Sequence, residues 1–335
     1  MTPTPPSDPL PFEQIRDAIL EKQRFLITSH ARPDGDSIGS QLAMAFALDA
    51  LGKDVRIVNA DPAPDHYQDF PGMERIEIAA RIEKPDVDAV IVMECSDLTR
   101  TGVAGLEQEF LINIDHHAGN RMYGALNWHD ESSAACGEMV FDLIRALGVP
   151  LSLEIATHVY LAILTDTGSF HHSHITPRTF DICRQCVEAG VTPAVMARRV
   201  FDSNSFGKLK LIGALLDDME LVDGGRLAVL HMDDQILAAT GSTNNDTEGL
   251  INLPLTAREI QAVVFFKVTG NGDVRVSMRS KYDVDVRQVA SEFGGGGHKN
   301  AAGFTVTGHL AEVRAGIVDR IVRAIEQGLE SRPAL

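Results

Sequence analysis

The stretch from Arg24 to Gln41, RFLITSHARPDGDSIGSQ, constrains the fold of this chain more than any other. Phe25, Leu26 and Ile27 form a short apolar run ending in small polar residues, the pattern of a buried parallel strand. His30, Asp34 and Asp36 follow at once, and a Ser and Gly cluster then opens an amphipathic helix predicted from about Ile38 to Leu51. One imidazole and two carboxylates therefore sit on the loop leaving the carboxyl end of a strand, where open α/β sheets place their active sites. That loop reads as half of a metal site.

The same arrangement recurs further on. Ala89 to Met93 is a continuous apolar run typical of a central parallel strand, and it delivers Glu94, Cys95, Ser96 and Asp97 to its end. Phe110 to Ile114 delivers Asp115, His116 and His117 in the same way. Helices are predicted over Pro11–Gln23, Ala134–Leu147 and Leu153–Leu164, the last running into Thr165, Asp166, Thr167 and Gly168. With strands over Arg24–Ser29 and Val55–Asn59, this alternation predicts right-handed crossovers and a parallel sheet.

At 335 residues the chain exceeds one ordinary core, so two domains are expected. Pro177 to Met219 keeps a helical pattern, and after Asp223-Gly224-Gly225 the character changes to strands over Leu227–His231, Ile260–Val268 and Val274–Ser280. Thr269 to Asp273 is a hairpin turn by composition. A short helix over Asp285–Phe293, a strand near Gly303–Val306 and a helix from about Leu310 to Gly328 complete the chain. The expected fold class is α/β: a disordered tail over 1–11, a parallel-sheet domain over 12–190 with helices on both faces, a helical linker over 191–222 and a smaller α+β domain over 223–330.

The formal charge of −17 disfavours adhesion to long nucleic acid, which needs many Lys and Arg contacts to phosphate. A small anionic ligand can still be held where metals and a few cations reverse the local potential. Four cysteines in a chain of this size, with no basic-apolar leader at the start and no apolar run of membrane-spanning length, point to a cytoplasmic protein without a disulfide framework or membrane partner. Cys183 and Cys186 form a C-x-x-C inside a helical pattern, which reads as buried helix-face cysteines.

The polar groups at the ends of these elements are His30, Asp34, Asp36, Glu94, Asp115, His116, His117 and Asp166. Any one of them alone is an ordinary turn or cap residue. Together, carboxylates and imidazoles without thiolates suit Mn²⁺, Mg²⁺ or Fe²⁺ better than a structural zinc. The charges of Asp34, Asp36, Glu94 and Asp166 balance two divalent ions, and such a pair can lower the pKa of a bridging water for attack at phosphorus. Gly294, Gly295, Gly296 and Gly297 lead into His298, and their backbone can approach a phosphate closely. Arg279, at a strand end, could add a forked contact.

HARPDGDSIGS, the segment Glu94 to Arg100, Asp115-His116-His117 and Thr165-Asp166-Thr167-Gly168 resemble, in order, the four motifs of the DHH phosphoesterase superfamily. Met278-Arg279-Ser280 and GGGGHKNAAG resemble its companion DHHA1 substrate domain, and the stand-alone arrangement looks most like the NrnA-type members. The resemblance implies hydrolysis of very short oligonucleotides, and of pAp, the 3′-phosphorylated AMP. It implies one metal held by His30, Asp34 and the motif-two carboxylate, and another held by Asp36, that same carboxylate, His116 and Asp166. Asp115 would orient the histidines, His117 would face the phosphate or leaving group, and Arg279, the glycine loop and His298 would grip the nucleotide end. The family usually has a bridging Asp where this chain has Glu94, and Asp97 is the competing residue.

The leading expectation is a Mn²⁺-dependent phosphodiesterase, with Mg²⁺ or Fe²⁺ as the other ions such ligands take. It would trim short single-stranded oligoribonucleotides to mononucleotides and act on small phosphorylated nucleotides, with no long duplex as partner. The alternatives are a cyclic-dinucleotide phosphodiesterase and a nucleotide-binding regulator without catalysis. The residues do not decide between a monomer and a homodimer.

Overall fold

The computed structural model describes residues 10–83, 86–171, 175–202, 204–247, 249–268, 272–308 and 310–330. The chain divides into two compact units after Ser203.

The first unit runs α1 (Pro11–Glu21), β1 (Arg24–Thr28), α2 (Gly35–Ala50), β2 (Asp54–Asn59), β3 (Ile76–Ile78), β4 (Ala89–Met93), β5 (Leu111–Asp115), β6 (Leu126–His129), α3 (Cys136–Ala146), α4 (Leu153–Asp166), α5 (Pro177–Glu188) and α6 (Pro193–Phe201). Its strands form one parallel sheet in the order β3-β2-β1-β4-β5-β6. The winding direction reverses between β1 and β4, which is where such sheets open a crevice at their carboxyl ends. His30 follows β1 and Glu94 follows β4, one on each side of that point.

Alternation along the strands sorts the core into two layers. Phe25, Ile27, Ile57, Ile91, Ile112 and Ile114 pack with residues of α1 to α6, while Leu26, Val58, Val90, Val92 and Leu111 pack with Ile82, Cys95, Val103 and Leu106. The α-helices expected on both faces therefore lie on one face among the described residues. The other is covered by irregular chain and a 3-10 turn at Leu98–Thr101. The cause is local: between β2 and β6 the connections carry Pro62, Pro64, Pro71, Gly72, Gly102 and Gly105, so no segment there keeps an uninterrupted helical period. β3 and β6, of three and four residues, are too short to declare themselves by periodicity.

α2 begins at Gly35, earlier than the predicted Ile38, because Asp34 caps it: its Oδ1 accepts from the N–H of Ser37 at 3.0 Å. Asp36 therefore rides on the first turn of a helix. The helix is buried along most of its length between sheet and α4, which explains why its sequence is apolar nearly all round.

The second unit runs α7 (Phe206–Asp217), β7 (Glu220–Val222), β8 (Leu227–Met232), α8 (Asp234–Thr240), β9 (Ala262–Val268), β10 (Asp273–Ser280), α9 (Val286–Glu292), β11 (Gly296–His298), β12 (Ala301–Thr307) and α10 (Leu310–Glu330). The sheet order is β11-β12-β10-β9-β8-β7, antiparallel except for β8 with β9. Residues of α9 and α10 cover one face, and residues of α7, α8 and the 250–256 segment cover the β8 and β9 part of the other. Of the predicted hairpin turn, Thr269, Gly270 and Asn271 lie outside the described residues, as do residues 1–9 of the expected tail. β9 and β10 pair antiparallel up to Val268 and Val274.

The long helical pattern from Pro177 to Met219 is three helices, broken first at Gly190, whose φ of 112° no helix accommodates, and again after Phe201. All four cysteines are buried and free, and burial pushes the Cys183 and Cys186 thiols up to about 12. No helix among the described residues is long and apolar enough to cross a membrane.

Candidate metal centre

Two glycines let the first unit's helices bring carboxylates together. A Cβ on Gly35 would lie 2.5 Å from the Thr165 side chain, and one on Gly137 would lie 2.4 Å from that of Ala162. Without them α2 and α3 could not approach the end of α4 this closely. The result sets Asp36 of α2 near Asp166, the last residue of α4, and both near His116.

His116 Nε2 lies 3.2 Å from Glu94 Oε1, 3.5 Å from Asp166 Oδ2 and 3.8 Å from Asp36 Oδ2. Its Nδ1 donates to the carbonyl of Ser133 at 3.0 Å, so Nε2 is the atom turned to the carboxylates. Across the crevice, His30 Nδ1 donates to the Ala31 carbonyl at 2.9 Å, and Nε2 meets Ser37 Oγ at 2.8 Å with Asp34 Oδ2 at 3.7 Å. His117 Nδ1 lies 2.9 Å from Asp115 Oδ1 and 3.6 Å from Glu94 Oε2.

Three overlapping donor sets emerge: His30, Asp34 and Glu94; Asp36, His116 and Asp166; Glu94, His116 and His117. Within each, the donor atoms lie inside 4.8 Å of one another, close to the separation of up to ~4.4 Å that one ion at roughly 2.0–2.2 Å from each donor imposes, so small side-chain shifts would bring them onto a common ion. Glu94 belongs to two of the sets. It is 1% exposed, and its Oε1 has no hydrogen-bond partner. A buried carboxylate oxygen that has the His116 ring at 3.2 Å but makes no hydrogen bond costs free energy that a cation would recover, so the residues present fit a metal. Glu94 also has φ of 57°, a left-handed backbone uncommon outside glycine, as the chain turns off β4 into the crevice.

The electrostatics agree. Burial, with the neighbouring charge of Asp36, raises the Glu94 carboxyl well above its usual range, and burial and Asp36 together push Asp166 up to about 7. Burial also raises Asp36, against the opposing charge of His116. For His116, burial alone would favour the neutral ring, but Glu94, Asp36 and Asp166 outweigh it and push the imidazole up to about 11. Partial burial would likewise raise Asp34, yet its contacts with His30 and Ser37 hold it below the usual range. Anionic groups have been gathered beyond what one imidazolium balances, the condition a divalent cation relieves.

The supports of these groups were not visible in the sequence. Asp36 accepts from the backbone N–H of Cys136 at 2.6 Å and Gly137 at 3.0 Å, and from Ser40 Oγ at 2.9 Å. Asp115, fully buried, accepts from Asn120 Nδ2 at 2.6 Å and from the N–H of His117 at 3.2 Å. The expectation that Asp115 orients both histidines is corrected: it bonds His117, and the Ser133 carbonyl bonds His116. The bond to Ser133 is to its carbonyl, which no side-chain pattern could reveal. Ser133's loop is itself tied down, because Glu138 accepts from the Ala134 N–H at 3.2 Å and faces Arg178 at 3.4 Å.

Asp97 belongs to none of the donor sets. Its Oδ1 accepts from the N–H and hydroxyl of Thr99, both at 2.9 Å, and its Oδ2 pairs with Arg121. It caps the 3-10 turn that follows.

In the second unit, Arg279 of β10 and His298 of β11 flank Ala301 of β12 in one row of the sheet, so all three lie on one face. Arg279 donates to the Met278 carbonyl at 3.0 Å and has no carboxylate partner among the described residues, and burial lowers its pKa. Within the glycine run, a Cβ on Gly295 would lie 2.4 Å from the Gly303 carbonyl oxygen, and one on Gly297 2.4 Å from that of Ala301. Part of the run is thus demanded by strand packing, while Gly294 and Gly296 face open space.

A model of the DHH family, N-terminal domain, matches residues 24–163, and a DHHA1 domain model matches residues 229–330. A Thermus thermophilus protein named bifunctional oligoribonuclease and PAP phosphatase NrnA is 36% identical over 285 residues, which cover 84% of each chain. A Streptococcus mutans protein named as a probable bifunctional enzyme of the same kind is 26% identical, over 87% of this chain and 92% of its own. The crystal structure of an exopolyphosphatase-related protein from Bacteroides fragilis has the same fold, with a TM-score of 0.89 at 23% identity over 96% of this chain and 98% of that one.

Proposed function

This chain belongs to the DHH family, and from that membership we propose that it hydrolyses short oligoribonucleotides to mononucleotides and pAp to AMP. The observation that carries the reading is the buried Glu94 carboxylate, shared between two donor sets, inside a chain that matches an enzyme of this name along most of its length.

DHH-family enzymes depend on metal, and the donor sets here could bind one. In our reading there are two divalent ions, Mn²⁺ in the first instance. His30, Asp34 and Glu94 would hold one; Asp36, Glu94, His116 and Asp166 would hold the other. Such ions supply an acidified water at neutral pH and neutralise phosphate charge. Asp115 holds the His117 ring through Nδ1, and in our reading that ring meets the phosphate or donates a proton to the leaving oxygen. Ser133 fixes the His116 tautomer, and the α3 N–H groups hold Asp36 in place. Arg279, Gly294 to Gly297 and His298 take the nucleotide end. The net charge of −17 repels long nucleic acid, and the four buried thiols suit the cytoplasm.

The test offers purified protein with Mn²⁺ a 5′-labelled dinucleotide, a five-mer, a long RNA, cyclic di-AMP and pAp, each with a chelator control. Chelator-sensitive loss of the dinucleotide, five-mer and pAp with the long RNA spared is expected. Turnover of cyclic di-AMP alone would overturn the linear-substrate reading, and nucleotide binding without any turnover would overturn catalysis.

A further inference from the structure

Asn113 lies in the middle of β5, between Ile112 and Ile114, and is fully buried. The central strands of a parallel sheet are otherwise apolar, and a buried amide persists there only when its hydrogen bonds are made. Ile112 and Ile114 pack toward the helices, so Asn113 turns to the opposite face of the sheet. There it bonds in two directions. Its Nδ2 donates to the Cys95 carbonyl at 3.1 Å and to the Tyr123 hydroxyl at 3.0 Å, and its Oδ1 accepts from Asn120 Nδ2 at 2.8 Å.

The two directions lead to the two halves of the candidate metal centre. On one side, the Glu94 N–H donates to the Ile114 carbonyl at 3.1 Å, and the chain then leaves the sheet through the left-handed turn at Glu94. The carbonyl of Cys95, the next residue, is taken up by side chains: Asn113 and the Tyr123 hydroxyl, which donates to it at 2.9 Å. One residue further on, the Ser96 carbonyl accepts from the Arg121 N–H at 2.9 Å, so the 120–123 segment runs along the Glu94 turn. On the other side, Asn120 continues from Asn113 to Asp115, at 2.6 Å, and Asp115 holds His117. Asn120 Oδ1 accepts from the Met122 N–H at 2.8 Å, which closes the turn that brings Tyr123 round to Cys95.

We propose that Asn113 and Tyr123 are positioning residues that clasp the Glu94 turn to the loop of Asp115 and His117, so that the carboxylate shared between donor sets and the ring that faces the phosphate keep one register. This rests on the function proposed above. Neither residue belongs to a donor set, so each acts through the groups it holds. The bonds divide the work: Tyr123 serves the Glu94 side, Asn120 the His117 side, and Asn113 both.

The test measures Mn²⁺ affinity by calorimetry, together with kcat and KM for a dinucleotide. Tyr123→Phe removes one hydroxyl and keeps the ring. It is expected to weaken Mn²⁺ binding by roughly three- to tenfold and to lower kcat, with KM held within about twofold. Asn113→Ala is expected to cost roughly tenfold or more in both Mn²⁺ affinity and kcat. Thermal melts of the metal-free proteins show whether the variants fold, and if Asn113→Ala does not, Tyr123→Phe decides. Wild-type Mn²⁺ affinity in Tyr123→Phe overturns the clasp, even with a lowered melting temperature, because the hydroxyl then serves stability alone. A loss confined to KM overturns it too. Wild-type protein that binds Mn²⁺ without turnover overturns the proposed function instead, and the affinity of Tyr123→Phe then judges the clasp by itself. Wild-type protein that binds no Mn²⁺ overturns both.

Discussion

His116 Nε2 stands 3.2 Å from Glu94 Oε1, an oxygen that is buried and satisfied by no hydrogen bond. The two atoms belong to elements that follow neighbouring strands, β4 and β5, and together they link all three donor sets. Glu94→Gln keeps the volume and removes the charge. Mn²⁺ affinity measured by calorimetry is expected to fall at least about tenfold and turnover at least about 100-fold. Asp97→Asn is the contrasting variant. It should retain turnover within a few-fold while losing on the order of 1 kcal/mol of stability through its weakened cap. The reverse pattern would move the bridging role to Asp97.

Asn120 reaches Asp115 at 2.6 Å, and Asp115 in turn holds His117. Asn120→Ala is expected to lower turnover by roughly 10- to 100-fold, the usual effect of losing a group that orients a reacting side chain. Metal affinity should change little, because the ions of the proposed reading rest on His116, which Asp115 does not touch, while His117 serves the substrate. A large loss of metal affinity with unchanged turnover would count against this division of labour.

The metal-free protein should lose stability as pH rises. Asp166 holds its proton up to about 7 in the folded chain but releases it near 3.8 when unfolded, so the penalty grows between those values. His116, pushed up to about 11, contributes stability that is complete below pH 6.5 and fades above it. Both slopes have the same sign across neutral pH. Thermal melts in chelator should fall from pH 5 to 9, and Mn²⁺ should raise the melting temperature most at the alkaline end. Parallel curves with and without metal would contradict the assignment.

His158 works in the opposite direction. It is fully buried on α4 beside Phe46 and Phe70, donates from Nδ1 to Glu154, and burial holds its pKa down at about 3. Its contribution is complete above the unfolded value of 6.5 and is lost as pH falls below it. His158→Phe should flatten the acid limb of the stability curve between about pH 6 and 4, read by urea denaturation at each pH.

Arg279 has no internal carboxylate partner among the described residues and shares a row of the sheet with His298. Arg279→Ala is expected to raise KM for short oligonucleotides by roughly 10- to 100-fold with a smaller effect on kcat, since a charged hydrogen bond to phosphate is lost. Arg279→Lys should recover only part, because a point charge cannot form the forked contact.

Much of the site was legible along the chain. His30, Asp34, Asp36, Glu94, Asp115, His116, His117 and Asp166 all lie at ends of elements that apolar periodicity announces, and a parallel sheet gathers such ends on one edge. The second sheet was legible for a similar reason, except for β7 and β11, which are too short for a period to register. Helix placement on the first sheet was not, because which face a crossover covers depends on where helices exist at all, and among the described residues the 3-10 turns and irregular chain between β2 and β6 leave the second face without an α-helix.

What the sequence determined by itself is which residue types stand at which ends, through hydrophobic period, caps and turn residues, all of which act over a few neighbours. What only the tertiary structure decided is how those groups are held. The Ser133 carbonyl behind His116, the α3 N–H groups on Asp36 and the Glu94 oxygen that makes no hydrogen bond arise from contacts between segments as far as 101 residues apart. Backbone donors and acceptors are the same at every residue, so their partners are chosen by packing and leave no mark in the order of side chains.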